Sequence, residues 1–331
     1  MLIYIGSSSG GDGISVFSVG VDGSLTPAGV PAAVEAPMHL VQHPDPALRV
    51  MYAANTLEDG AVTALRVGEG GALEPFSRQS TGGAQPVYVA VAPDGRHVVC
   101  ANWGGQGSVS VLSLAADGSL GAVTDFLAPS ENADCYAHHV SFRGDEAAVV
   151  FLGIGEIRGY QLTDTGRLTH RWTAPAQDAK AGPRHLVQHP NGRCYVSDEL
   201  ASAVSVYVRA PQGGLRHVAT RPASTTQPVS LDRNHPSEIA LSPDGRFLYV
   251  ANRGSDTLSV FTVSGDTLDL LGETPTGGVF PQHFALADPW VFVAHERSHD
   301  VTLLHRDQVT GLLTPRGTVA RVTNAAFVLT R

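Results

Sequence analysis

Two arginines, a glutamate and a histidine (Arg184, Arg253, Glu199 and His138) are the residues of this 331-residue chain best suited to act together. Guanidinium groups grip carboxylates, phosphates and developing oxyanions through paired N–H donors, and they stay charged at neutral pH. A glutamate or a histidine beside them can take a proton from water and return one to a leaving group. Such a quartet suits attack on a carbonyl in an anionic molecule, or proton transfer on a diacid. The four positions are far apart in the chain, so the chemistry exists only if the fold gathers separate segments onto one wall.

A repeat does the gathering. Its fullest copy is HPSEIALSPDGRFLYVANRGSDTLSVFTV, residues 235–263. It reads as Pro-x-x, an apolar alternation, a Pro-Asp-Gly turn, a second strand ending in Asn, and a third strand. Related copies start at APMHLVQHPD (36–45), QPVYVAVAPDG (85–95), AHHVSFRGD (137–145), GPRHLVQHPNG (182–192) and FPQHFALADP (280–289), and TNAAFVLT (323–330) is a remnant. With the residue after the Pro position as marker, the series is Met38, Val87, His138, Arg184, Ser237, Gln282 and Ala325, at intervals of 43 to 53 residues. Units of this length with several short strands each are propeller blades. The sequence therefore predicts an all-β, seven-bladed propeller over 1–331 as one domain. The chain opens without an innermost strand and ends with a spare one, and their pairing would close the ring and remove two free sheet edges.

Equal repeat positions share radius and height in a propeller, so the alignment becomes geometry. In an antiparallel hairpin the start of the first strand lies beside the end of the second. The markers form one ring at a channel mouth. The residues after the second-strand Asn (Thr56, Trp103, Gly153, Glu199, Arg253 and Glu296) form another. His138, Arg184, Glu199 and Arg253 then fall on three consecutive blades, as candidate catalytic residues. Trp103, Ser237, Gln282 and Glu296 are candidate substrate-binding residues. The connections 121–136 and 218–235 are expected to be the longest, entering on the same face, where binding loops concentrate.

Plainer roles compete. The chain has 21 Arg and one Lys, so single arginines carry little weight without position. Glu199 could be only an ion-pair partner, and His138 only a histidine satisfied at a strand end. His139 should point to the opposite face, because side chains alternate along a strand. His39/His43 and His185/His189 are four apart on strands, about 13 Å, too far for one ion. No HExxH or carboxylate loop occurs, so neither a metal nor a cofactor is expected. The run GSSSGGDG (6–13) reads as a loop between strands rather than a phosphate cradle.

Composition excludes whole classes. With 36 Gly and 21 Pro the chain is no helical bundle, and a net charge of −9 argues against nucleic acid or an anionic membrane as partner. No apolar run reaches the roughly 18–20 residues of a membrane helix. The start, MLIYIGSSSGG, enters a strand pattern at once without a basic segment, so no secretory leader is expected. Three scattered cysteines, Cys100, Cys135 and Cys194, suit a reducing cytoplasm. A monomer is the default.

At GPRH (182–185), SDELASAVSVY (197–207) and HPSEIALSPDGRFLYVANRGSDTLSVF (235–261) the sequence resembles the seven-bladed propeller lactonases. That family includes the bacterial propeller 6-phosphogluconolactonases and a fungal carboxymuconate lactonizing enzyme. The resemblance implies a His–Arg–Glu–Arg active site on the channel wall, falling on His138, Arg184 of GPRH, Glu199 of DEL and Arg253 of ANRG. It implies a lactonase acting on an anionic sugar lactone, with 6-phosphogluconolactone as first candidate. The alternatives are a muconate-type cycloisomerase using the same residues, and a ligand-binding propeller without turnover.

Overall fold

Each repeat folds into a four-stranded antiparallel sheet because its apolar alternation is cut by turn residues at fixed places. The computed structural model describes residues 1–128 and 134–331. Among the described residues there are seven such sheets, and only two short 3₁₀ turns interrupt the strands. The inner hairpin turns use glycine at positive φ, as at Gly95 (69°) and Gly245 (73°), where a left-handed backbone is needed.

Burial grades outward along each sheet. The second strands are buried along nearly their whole length, and Val50–Asn55 and Phe247–Arg253 at every residue, because blades pack on both of their faces. The fourth strands, such as Leu73–Ser80, are mostly exposed or half-buried at the rim. Seven apolar clusters fill the seven interfaces between neighbouring blades among the described residues. One of them joins Ile3, Ile5, Phe17 and Val328 to Phe292 and Val301, so the last blade packs on the first.

Ring closure follows the predicted route. Strand Ala325–Thr330 pairs antiparallel with Leu2–Ser7, completing the sheet that holds Ser15–Val19 and Leu25–Pro27. The structure corrects the loop lengths. Residues 120–127 form a strand, Leu120–Leu127, which shortens the expected 121–136 connection to 128–136. Part of that connection lies outside the described residues. The expected 218–235 connection shrinks to 223–234, since Leu215–Pro222 is also a strand.

A bulge recurs at the start of the innermost strands. Pro37 pairs with Asn55 and His39 with Ala54, leaving Met38 between two ladder positions. The same slip falls at Val87, His138, Arg184 and Gln282. In the last strand Ser7 pairs with Ala325 and Gly6 with Phe327, so the equivalent residue is Ala326, one later than the marker series gives. Just before the bulge the backbone turns left-handed, with φ of 49° at Gln85, 47° at Tyr136, 63° at Gly182 and 65° at Phe280. Bulges re-aim side chains, and here they turn the marker residues toward the channel mouth.

Candidate active site

The carbonyl of each left-handed residue accepts a hydrogen bond from the residue just past the second strand. The pairs are Thr56 to Ala36 (3.0 Å), Trp103 to Gln85 (2.9 Å), Glu199 to Gly182 (2.7 Å) and Glu296 to Phe280 (3.1 Å). This bond holds the two predicted rings together. It also corrects one member and adds another. The ring position of the fourth blade is Leu152, bonded to Tyr136, rather than Gly153, because Phe151 stands where three blades carry Asn55, Asn102 and Asn252. Ser8, bonded to Asn324, completes the ring where the chain closes. Its first-strand partner lies more than 300 residues away in sequence, which hid it.

The Asn at the end of the second strand fixes this corner. Asn252 Nδ2 donates to Ser259 Oγ at 2.8 Å, and Asn102 Nδ2 donates to Ser110 Oγ at 2.8 Å. The position before Glu199 is Asp198, which accepts from Ser205 Oγ. Burial pushes the Asp198 carboxyl up to about 7 against the pull of that bond. An acid raised this far substitutes for the neutral Asn of its neighbours.

The quartet assembles on the wall of the mouth. Arg184 Nη1 donates to Glu199 Oε2 at 2.6 Å, and Arg253 Nη2 lies 2.9 Å from Glu199 Oε1. Both contacts are ion pairs, so Glu199 holds the two guanidinium groups together, while the buried Arg184 Nε has no acceptor among the described residues. Both arginines are 5–6% exposed. Arg253 is held from three further sides. Its Nε donates to the His235 carbonyl at 3.1 Å, its Nη1 donates to Gln282 Oε1 at 3.2 Å, and its guanidinium stands 5.0 Å over the Phe280 ring. Burial and the nearby Arg184 lower Arg253 to about 10, against the pull of Glu199 and Glu296. It remains a cation at neutral pH.

Glu199 and His138 are poised differently. Burial raises the Glu199 carboxyl, but Arg253 and Arg184 outweigh it and hold the group well below the usual carboxylate range. Glu199 is therefore ionised, clamped and weakly basic. His138 is held well below its ordinary value by burial, Arg184, His185 and Arg253, with Glu199 opposing. Its imidazole is neutral, and Nδ1 has no hydrogen-bond partner among the described residues. The cluster thus offers an unfilled N–H donor, Arg184 Nε, and a second guanidinium beside a neutral base.

The other candidates separate. Gln282 supports Arg253, as above. Glu296 Oε1 accepts from Ser8 Oγ at 2.6 Å and lines a mouth cavity of about 830 Å³ with Met38, Thr56, Phe280 and Arg297. Trp103, 38% exposed, stacks on Tyr136 with ring centroids 5.0 Å apart. Ser237 is fully buried and donates to the Pro281 carbonyl at 2.7 Å, which ties two blades together and takes it away from the mouth. His139 does not turn to the opposite face. The bulge at His138 breaks the alternation, and both rings pack near His185, at 5.1 and 5.0 Å. His43 and His189 bond through Nε2 to the turn carbonyls of Gly95 and Gly245, each at 3.1 Å. Among the described residues no cluster of His, Cys, Asp or Glu is arranged to hold a metal ion, and no helix is long and apolar enough to cross a membrane.

Sequence reasoning missed His235, whose Nδ1 lies 3.7 Å from Glu199 Oε1, because it stands before the Pro position, outside both aligned rings. It also missed Phe280, whose signal was its place before the Pro position.

A family model described as the seven-bladed β-propeller lactonases matches residues 2–330. A protein named 6-phosphogluconolactonase from Pectobacterium carotovorum subsp. carotovorum is 33% identical, covering 95% of this chain and 93% of its own length. The protein of the same name from Bacillus subtilis is 32% identical, covering 77% and 76%. A solved structure described as the periplasmic gluconolactonase of Pseudomonas aeruginosa superposes with a TM-score of 0.88 at 25% identity, covering 99% of both chains. Fold, site geometry and these likenesses agree, and the chain belongs to the seven-bladed β-propeller lactonase family.

Proposed function

We propose that the protein hydrolyses an anionic sugar lactone, 6-phosphoglucono-δ-lactone, to the open acid, with His138, Glu199, Arg184 and Arg253 as its catalytic wall. The observation that carries this reading is the unfilled donor Arg184 Nε and the Arg253 guanidinium clamped on the same Glu199, beside the His138 imidazole, whose Nδ1 has no partner among the described residues. The substrate follows the names of the relatives, 33% and 32% identical.

The reaction runs in two steps. Water adds to the lactone carbonyl carbon while His138 takes its proton, and the carbonyl oxygen becomes an oxyanion facing the arginines. The carbon–ring-oxygen bond then breaks, and the His138 imidazolium gives its proton to the departing ring oxygen, leaving a hydroxyl and a carboxylic acid that releases its remaining proton to solvent as the carboxylate. Two guanidinium donors held rigid by Glu199 need little reorganisation as charge develops. Glu199 acts by orientation, since its carboxylate is saturated by cations. Gln282 keeps Arg253 in place, and Glu296 and Trp103 on the mouth suit hydroxyl groups and a sugar ring face.

The closed ring acts as one domain, and the quartet comes from a single chain, so a monomer suffices. Three buried thiols, Cys100, Cys135 and Cys194, suit a reducing cytoplasm. Hydrolysis in ¹⁸O-labelled water tests the reading: one labelled oxygen must enter the product carboxylate. Turnover of a muconate without label would replace hydrolysis by cycloisomerisation, and no turnover of either would leave a binding protein.

A further inference from the structure

Beneath the quartet a layer of side chains crosses the channel, one residue past each bulge. It holds His139, His185 and His283, with Tyr88 and Phe327 between them, and the rings lie 3.9–5.6 Å apart in successive contacts. His39 packs into the same layer, 3.8 Å from Tyr88. Among the described residues this layer has one carboxylate, Glu238. Its Oε2 lies 2.9 Å from His185 Nδ1 and 3.3 Å from His283 Nε2.

A channel that needed only filling would use apolar side chains, because burying a carboxylate is costly. Glu238 is instead half-buried, its side chain 15% exposed, and bonded to imidazoles, with no arginine in ion-pair contact among the described residues. Its bond to His185 Nδ1 fixes that tautomer and the tilt of the ring. The other side of the His185 ring stands against His138, 5.1 Å between centroids.

We propose that Glu238 is a positioning residue that acts through His185 to orient His138 and to supply the counter-charge for the proton His138 takes from water. This rests on the lactonase reading of the mouth. The charges around His138 explain the need. Arg184 and Arg253 both oppose its protonation, and Glu199, which favours it, is already bonded to both. Glu238 adds negative charge from below, where no arginine is in ion-pair contact with it among the described residues. Burial raises its carboxyl, while His283 and Arg184 pull it down. A raised carboxyl next to an imidazole shares a proton readily. Facing it across the layer are His39, His139 and Tyr88, all neutral at neutral pH.

The test uses the full chain with Glu238→Gln and Glu238→Asp. Kinetics on 6-phosphogluconolactone are followed across pH, and the His138 ring signal, assigned with His138→Asn, is titrated by NMR. Glu238→Gln keeps the shape and removes the charge. We expect kcat to fall about tenfold or more with KM nearly unchanged, and the acid limb of kcat/KM to move to lower pH, because His138 loses a group that favours its protonation. Glu238→Asp should restore part of kcat. His185→Asn, which keeps a donor for Glu238 but removes the intervening ring, should move the limb the same way, and it decides the matter if Glu238→Gln does not fold. An unmoved limb, or a kcat reduced only in proportion to the folded fraction, overturns the proposal. If the wild type hydrolyses no lactone, the catalytic reading fails by itself. The NMR titration then decides, and a His138 signal unaffected by Glu238→Gln overturns the positioning role.

Discussion

Replacing Arg184 with Met removes a guanidinium that is 6% exposed and 2.6 Å from Glu199 Oε2, while keeping most of the apolar stem. Two consequences can be separated. Breaking a buried ion pair by deleting one partner costs about 3–5 kcal/mol of stability. Glu199 keeps its contact with Arg253 at 2.9 Å, so the lower end, about 3 kcal/mol, is expected here. In the reaction, loss of one preorganised donor to an oxyanion costs about 2–4 kcal/mol, a fall of roughly 30- to 1,000-fold in kcat. The assay is initial-rate hydrolysis of freshly prepared 6-phosphogluconolactone by proton release, with spontaneous opening subtracted, well below the melting temperature of the variant. A kcat/KM within threefold of wild type in a cooperatively folded variant would refute the reasoning. A rise in KM alone, with kcat intact, would reduce Arg184 to holding the substrate's charge in the ground state.

Other perturbations follow from the same geometry. Glu199→Gln leaves two buried arginines unpaired and should abolish measurable turnover. Because the Glu199 carboxyl is held well below its ordinary 4.5, its stabilisation is complete above about pH 4.5 and is lost as pH falls through the folded value. The gap between wild type and Glu199→Gln in urea unfolding should therefore be widest at neutral pH and narrow in acid; a constant gap would refute the pairing. Burial pushes the Cys194 thiol up to about 11 and Cys100 higher still, so a thiol reagent should label neither until the protein is unfolded. Fast labelling of the native protein would contradict their burial. Phe327→Ala, at a site 7% exposed in the closing strand, should cost about 3–5 kcal/mol, and deletion of 323–331 should leave a chain that aggregates or fails to melt cooperatively. A truncated chain with a wild-type melting curve would show that closure is dispensable.

Much of this molecule was readable because a propeller is written as a repeat. Seven copies of the same turn chemistry can be satisfied only by seven similar sheets, so fold, ring closure and blade membership of Arg184, Glu199 and Arg253 followed from alignment. Misreadings came where the repeat is degenerate. Phe151 in place of Asn shifted the fourth blade from Leu152 to Gly153, and a remnant without Pro shifted Ala326 to Ala325. Ser237 occupied the right repeat position, yet its hydroxyl bonds the neighbouring blade, since a short side chain at a bulge reaches backbone before it reaches the mouth.

What the sequence determined by itself was therefore topology and the list of residues that share a height on the channel wall, because periodicity constrains position and little else. The tertiary structure decided which of them touch. Strict alternation assigns His138 and His139 to opposite faces, but a bulge set by the left-handed Tyr136 turns both rings against His185. Pairing of Glu199 with Arg253, and of Glu238 with two histidines, depends on distances between blades more than 40 residues apart in sequence. Ion pairing and proton affinity vary with separation and burial, and both are properties of the assembled ring.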